Sequence, residues 1–439
     1  MTYAEAVARL LALRGGEHAG MRPGLERIET LLEALGHPEQ RYRLVQVGGT
    51  NGKGSVAAML AAMLRSAGQR VGLYTSPHLV SFRERIRVDG EPIAEDAVVD
   101  GVDALGTLVA RLDATMFETT TALGLDHFAR EAVDVAVLEV GLGGRLDATT
   151  VGTPEAVVIA RIDLDHQAVL GATLAEIAAE KAAIIRGGVA VCAAQAPEAE
   201  RVLVERAAAV RVPLLLEGRE LSVAVERRGP EGQRLTCAGP GWRMSGLELG
   251  MLGTFQPSNA LLAVATARQL GVREAAIHDG LARAWWPGRF QILRREGGLL
   301  VLDGAHNPAG ARALAASLRE TFGDRRVTFV VGILRDKDAA GIIGALAPLA
   351  DRFVLVASSS PRAVAVEALR ALVPASAGRV EVAGTPGDAL ALAARIATTP
   401  IVCVAGSLSL IGDVLRHVAG SDQPCSLERG AESMGLLFS

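Results

Sequence analysis

The apolar positions of this chain fall mainly in short unbroken runs, and turns rich in glycine or small polar residues follow several of them. Leu44–Val47, Arg70–Tyr74, Asp134–Val140, Ala156–Ala160 and Val189–Ala193 each read as a strand buried on both faces. Helical stretches lie between them, at Val56–Leu64 and residues 173–185, and strand–helix alternation predicts a parallel sheet. From about 218 to 250 the texture changes to short polar–apolar alternations with Gly and Pro, which predicts antiparallel hairpins. Helices are expected at roughly 257–270 and 273–284, followed by Trp285-Trp286-Pro287-Gly288-Arg289-Phe290. The alternation restarts at Leu299–Asp303 and continues through Val327–Gly332, Phe353–Val356, Val380–Val382 and Ile401–Val404. Ahead of the first strand, residues 3–40 read as helical, broken at Gly15-Gly16 and at Arg22-Pro23-Gly24. A domain boundary is expected near 292, and the loss of periodicity beyond about 420 predicts a flexible tail.

Composition narrows the class. At 439 residues, half of them hydrophobic, the chain has room for two or three domains and a large core. A net charge of -4 with mixed signs points to neither a nucleic-acid nor a membrane partner. Cys192, Cys237, Cys403 and Cys425 are scattered without a Cys-x-x-Cys pair, which argues against a disulfide framework and a zinc site and fits a reducing compartment. Glu5 and Arg9 interrupt any secretory apolar segment, and no apolar run approaches a membrane span. A soluble cytoplasmic protein is the expectation.

The candidate chemistry starts at Val47-Gly48-Gly49-Thr50-Asn51-Gly52-Lys53-Gly54-Ser55, between a predicted strand and a predicted helix. Strand, glycine turn and helix make a phosphate cradle, because backbone N–H groups and the positive end of the helix dipole converge on one anion. Lys53 would reach the β/γ-phosphates and the Ser55 hydroxyl a Mg²⁺ ion. The match to the general loop is inexact, since Gly54 separates Lys53 from Ser55 and Val47 stands where the first glycine belongs. A turn that merely packs strand on helix is the plainer alternative. Glycines there cost entropy on folding, which favours the phosphate reading.

Other candidates sit at strand ends. Glu139 closes an apolar run before Gly141-Leu142-Gly143-Gly144, where open α/β sheets bind ligands and a carboxylate suits Mg²⁺. His166, in Asp163-Leu164-Asp165-His166-Gln167, reads by itself as a structural histidine, although imidazole also binds metal or carries protons. Lys181, among alanines on a predicted helix, reads from spacing as a surface lysine. Asp303-Gly304-Ala305-His306-Asn307-Pro308 repeats the carboxylate–histidine pairing, with Asn307 as a helix cap. Arg289 is placed either to clamp a phosphate or to bridge two domains.

Taken together and in order, these motifs resemble the bacterial folylpolyglutamate synthase / dihydrofolate synthase family of the Mur ligase superfamily. The resemblance runs from Gly24-Leu25-Glu26-Arg27 to Gly406-Ser407-Leu408 and includes the extra glycine of the phosphate loop. It also takes in Tyr74–Leu79 with Arg83–Ile86, Glu139–Thr149, Leu164–His166, Glu180–Ala182, Pro287–Gln291, Asp303–Pro308 and Asp336–Asp338. It implies an N-terminal α/β domain with a phosphate loop and a mostly parallel sheet over 1–292, and a smaller Rossmann-like domain over 293–420 that serves glutamate ligation, with 421–439 as tail.

The resemblance also implies roles. ATP would be held by Asn51, Gly52, Lys53, Gly54 and Ser55 with Asn259, Arg289, Asp303 and His306. Mg²⁺ would be held by Ser76, Glu139 and His166; Lys181 would be carbamylated and, with Lys53 and His166, serve catalysis. Phe117, Glu118, Asp147 and Ala148 would line the pterin-side pocket. The implied reaction makes an acyl phosphate from ATP and the acceptor carboxyl of dihydropteroate or a reduced folate, which L-glutamate then attacks. A monomer with small-molecule substrates only is expected. Thr150, Phe255, Ala183 and Arg186 depart from the usual family residues and bear on substrate preference. Among alternatives, a cell-wall ligase is disfavoured by the 76–86 segment, and a GTPase by the absence of an Asn-Lys-x-Asp motif. A non-catalytic nucleotide-binding module would not need Glu139, His166 and Lys181 together.

Overall fold

The computed structural model describes residues 1–14, 22–229, 232–295 and 297–420. The Gly15-Gly16 break, Cys425 and the tail expected beyond 420 lie outside them. The apolar runs form β1 (Arg43–Gly48), β2 (Val71–Tyr74), β5 (Val135–Glu139), β6 (Ala156–Ile159) and β7 (Val189–Cys192), and the structure adds β3 (Ile86–Val88), β4 (Glu91–Pro92) and β8 (Leu214–Leu216). These eight make one sheet in the order β4-β3-β2-β5-β1-β6-β7-β8. From β2 to β8 all pairs are parallel, and β3 and β4 add an antiparallel edge. Sequence order reverses around β1, which places a crevice beyond its C-terminal end.

Both faces of the sheet are covered, which is why the strands read as continuous apolar runs. Val45, Val47, Val135 and Val137 enter one core; Leu44, Ala136 and Leu138 enter another on the opposite side. The helices are α1 (Tyr3–Ala12), α2 (Glu26–Ala34), α3 (Lys53–Ser66), α4 (Glu95–Leu112), α5 (Met116–Arg130), α6 (Gln167–Leu170), α7 (Leu174–Ala182) and α8 (Pro197–Ala209). Then come α9 (Gln256–Gln269) and α10 (Glu274–Arg283). The expected hairpins are β9 (Ser222–Gly229), β10 (Gly232–Gly239) and β11 (Trp242–Leu249), a separate three-stranded antiparallel sheet. Its Leu235, Cys237 and Met244 share a core with α3 and α9. The sequence reading passed over α4, α5 and the β3–β4 edge. Of these α5 does carry a cap signal, the Thr115/Glu118 box.

The second sheet is built of β12 (Gln291–Arg295), β13 (Gly298–Leu302), β14 (Val327–Val331), β15 (Ala350–Leu355), β16 (Arg379–Val382) and β17 (Ile401–Ala405). Its order is β12-β13-β17-β14-β15-β16, parallel except for β12. Gln291 already pairs with Leu302, so position 292 lies just inside β12. The covering helices are α11 (Pro308–Phe322), α12 (Ala339–Leu346), α13 (Val366–Leu372), α14 (Pro386–Ile396) and α15 (Leu408–Ala419). Among the described residues no helix is long and apolar enough to cross a membrane.

One glycine fixes how the first sheet is strung. Gly188 enters β7 at φ +62°, and a Cβ there would lie 1.8 Å from the Glu155 carbonyl oxygen. Gly188→Ala therefore meets both a left-handed backbone and a backbone clash. We expect it to lower stability by more than about 2 kcal/mol, read from the urea unfolding midpoint.

Candidate active site

The phosphate loop leaves β1 through Gly49 at φ +126°, where a Cβ would sit 2.9 Å from the Ala160 backbone. Thr50 and Asn51 N–H both donate to Arg161 O, at 2.8 and 3.2 Å, which pins the loop to the end of β6. The chain then turns into α3 with Gly52 as its N-cap, and no side chain caps the helix. The first-turn N–H groups and the positive dipole end thus open onto the neighbouring cavity, an arrangement that receives an anion. Lys53 stands in the cavity wall, its Nζ 3.2 Å from Thr50 O. Burial lowers its pKa, and the charges of Glu139 and Asp165 oppose that shift. Gly52 (φ +101°) leaves room for Asn259, whose Oδ1 would lie 2.4 Å from a Cβ at 52. Asn259 in turn donates to Gln256, which donates to Ser55.

Glu139 ends β5 beside this loop and accepts a hydrogen bond from Ser76 N–H at 3.2 Å. It is buried, and burial raises its pKa against the pull of Lys53. Among the described residues no three His, Cys, Asp or Glu side chains form a ready metal cage. Mg²⁺ does not need one, since it usually keeps several waters and takes one or two protein carboxylates besides phosphate oxygens. A buried carboxylate next to Ser76 on the wall that carries Lys53 and Ser55 suits that ion. His166 faces the same cavity, but its Nε2 is 3.1 Å from the Lys337 ammonium. Ser76 and Glu139 therefore fit Mg²⁺, whereas His166 as placed does not, because the Lys337 ammonium occupies its Nε2.

That lysine belongs to a cluster the sequence did not reveal. Asp165 accepts from Lys337 Nζ at 2.6 Å and from Asn307 Nδ2 at 3.1 Å, with His306 Nε2 at 3.6 Å. Asn307 also exchanges hydrogen bonds with Asn51 of the phosphate loop, at 3.1 and 3.3 Å. Asp165 and Asn51 stand on the first sheet's side; Lys337, His306 and Asn307 come from the second. Burial raises the pKa of Asp165, but Lys337, His166 and His306 outweigh it and hold the carboxyl below its usual range. Burial, followed by the charge of Lys337, pushes His166 down to about 4, so its imidazole is neutral at pH 7. His306 Nδ1 meets Gly304 O at 2.8 Å, and burial lowers this ring also to about 4.

Lys181 is buried, not the surface lysine its spacing suggested: α7 turns it inward, and Nζ donates to Gly49 O at 2.9 Å. Burial, followed by the charge of Lys53, pushes its pKa down to about 7. From the second domain, Asp303 accepts the N–H groups of Phe290 and Ala305 at 2.8 and 2.9 Å. Burial raises its pKa to about 6. Gly304 makes room for Arg289, whose Nη1 would lie 2.3 Å from a Cβ at 304.

One cavity of about 650 Å³ brings together Asn51, Gly52, Lys53, Gly54, Ser55, Ser76, Glu139, His166, Lys181, Asn259, Arg289, Asp303 and His306. Phe117, Glu118, Asp147 and Ala148 are not in its wall. Asp147 is buried and braces the loop after β5 by accepting the N–H groups of Gly141, Leu142 and Thr149. Phe117 backs that loop, its ring 2.5 Å from where a Gly141 Cβ would fall. Glu118 closes the α5 cap and pairs with Arg27 at 2.8 Å. Asp165 and Lys337 stood inside quoted motifs, and nothing local marked them as partners.

An uncapped helix start and lysine on one α/β layer, facing a carboxylate and histidine from the other with Arg289 of the connector between them, make a site suited to a nucleotide, and the two domains that enclose it are those of a Mur ligase. The Mur ligase middle domain matches residues 47–267, and the Mur ligase glutamate ligase domain matches residues 288–408. The folylpolyglutamate synthase of Lacticaseibacillus casei is 36% identical, over 96% of this chain and 99% of its own. The Bacillus subtilis dihydrofolate synthase/folylpolyglutamate synthase is 33% identical, over 91% and 96%. Among solved structures, Mycobacterium tuberculosis folylpolyglutamate synthase complexed with ADP superposes with a TM-score of 0.88 at 35% identity, covering 96% of this chain and 99% of that one. Escherichia coli FolC in complex with DHPP and ADP gives 0.87 at 31%, covering 95% and 98%. This chain belongs to the folylpolyglutamate synthase / dihydrofolate synthase family.

Proposed function

We propose that this protein is an ATP-dependent ligase that joins the amino group of L-glutamate to the carboxyl of dihydropteroate, or of reduced folates and their polyglutamates. The observation that carries this reading is the one cavity in which the open start of α3 and Lys53 face Arg289 of the connector and Asp303 and His306 of the other domain. A carboxylate is a poor electrophile, so the γ-phosphoryl group first passes to the acceptor carboxyl, giving an acyl phosphate and ADP. The glutamate amine attacks that carbonyl, and phosphate leaves as the amide forms. The first-turn N–H groups of α3 hold the phosphates, and Lys53 balances charge on the transferring group. Ser76 and Glu139 would hold Mg²⁺, which would supply further neutralisation of phosphate charge. Asn259, Arg289 and Asp303 orient the nucleotide, and joining the two domains over the cavity keeps water from the acyl phosphate. Lys181, with a pKa near 7, has the neutral amine that carbamylation requires, and the carbamate would return a carboxylate to the site.

Phe117, Glu118, Asp147 and Ala148 belong to the pterin side of this reading, in which Asp147 and Phe117 brace the loop after β5. The division into 1–292 and 293–420, a monomer and a cytoplasmic setting complete it. The test is ATP-dependent phosphate release by purified protein with Mg²⁺ and L-glutamate, comparing dihydropteroate with tetrahydrofolate. Turnover with both is the expected result. Turnover with one assigns the protein to that branch, and release with a muropeptide acceptor alone overturns the folate reading.

A further inference from the structure

Gly54, which sets this phosphate loop apart from the general pattern, has a physical reason outside phosphate binding. It sits within α3 in a conformation that alanine adopts freely, so its backbone does not require glycine. Space does. A Cβ at 54 would lie 2.7 Å from Trp286 Nε1 and 3.2 Å from its Cε2. Trp286 belongs to the connector between α10 and β12, and the Arg87 guanidinium lies 6.0 Å from the centroid of its ring. The connector is held at both ends. Before it, α10 packs so closely on α3 that a Cβ at Gly280 would lie 2.3 Å from Met63 Cα. After it, Arg289 enters the cavity and Phe290 is buried in the core of the second domain.

We propose that Trp286 is a positioning residue for the ligase reaction. Its indole seats the first turn of α3 and, through the connector, fixes the phosphate loop relative to Arg289 and the second domain. Glycine at 54 is the space the indole occupies. A side chain there pushes the indole or the helix start aside, and a misplacement of about 1 Å at a reacting centre can cost about a hundredfold in rate. The proposal rests on reading the cavity as the ATP site.

The test is a double-mutant cycle on the full chain. Gly54→Ala alone is expected to lower kcat by roughly tenfold or more, whereas in a Trp286→Ala background it changes kcat by less than about twofold. Trp286→Ala alone is expected to lower kcat by about tenfold with the acceptor KM within about threefold, and Trp286→Phe to recover most of the loss. Melting temperatures of the four proteins should show the same non-additivity, a readout independent of the reaction. If Gly54→Ala does not fold, a folded and active double variant supports the contact. Equal losses from Gly54→Ala in both backgrounds, wild-type kcat in Trp286→Ala, or a double variant as unfolded as Gly54→Ala overturns it. A wild-type protein without turnover would instead overturn the functional reading, leaving the melting-temperature cycle to decide the contact.

Discussion

Lys181→Ala lowers kcat by about a hundredfold or more while leaving the protein at least as stable as the wild type; this is the expected result of removing a group placed for chemistry at a cost to the fold. The lysine is buried beside Lys53, with the Gly49 carbonyl as its hydrogen-bond acceptor. Its folded pKa, about 7, lies below its ordinary 10.5. Between those values the unfolded chain binds more protons than the native one, so this residue's contribution makes stability rise with pH across that window. Lys181→Met removes the buried charge and keeps the length. In CO₂-depleted buffer its stability advantage over the wild type should be largest below pH 7 and shrink as pH rises toward 10.5, followed by thermal unfolding. Formate or acetate should partly restore Lys181→Ala if a carbamate is what the reaction uses. A folded Lys181→Ala with near-normal turnover removes the residue from the mechanism.

The second large effect is expected at Asp165. Its carboxylate binds Lys337 and Asn307 and lies near His306, all from the other domain. Asp165→Ala strands the Lys337 ammonium, whose side chain is only 6% exposed. Removing one partner of a buried pair costs about 3–5 kcal/mol. Because this pair spans two separately cored domains, the molecule avoids most of that cost by letting them part. The expectation is a kcat lower by about a hundredfold, a melting temperature within about 4 °C of wild type, and a larger radius of gyration by small-angle scattering. Asp165→Asn, which keeps an acceptor for Asn307, should fall between. Normal kcat with unchanged scattering would show that the cluster does not hold the domains together.

Much of this was legible in the chain. Strands buried on both faces must be apolar throughout, so β1, β5, β6 and β7 appeared as unbroken runs, and the glycine turn after β1 marked the phosphate loop. Residues at strand ends pointed to Glu139, Asp303 and His306, because parallel strands present their C-terminal ends to one crevice; His166 by itself read as a structural histidine, and only the family resemblance gave it a role. Asn307 was correctly read as a cap, since that role is set within a few residues: it accepts the Gly310 N–H at 2.8 Å.

What the sequence did not determine are the meetings between distant segments. Lys181 looked like a surface lysine, because helical spacing gives a face but not what covers it; only the packing of α7 over the loop after β1 buries it. Asp165 and Lys337, 172 residues apart, became partners only when two sheets with separate cores were set against each other. Gly54 looked like part of a phosphate signature, yet the space it leaves is filled by an indole from the connector. Periodicity, caps and turn residues are local consequences of backbone geometry and burial, so the sequence determines them. The positions of two independently packed layers relative to each other, and the charges that face across the gap, follow only from the tertiary arrangement.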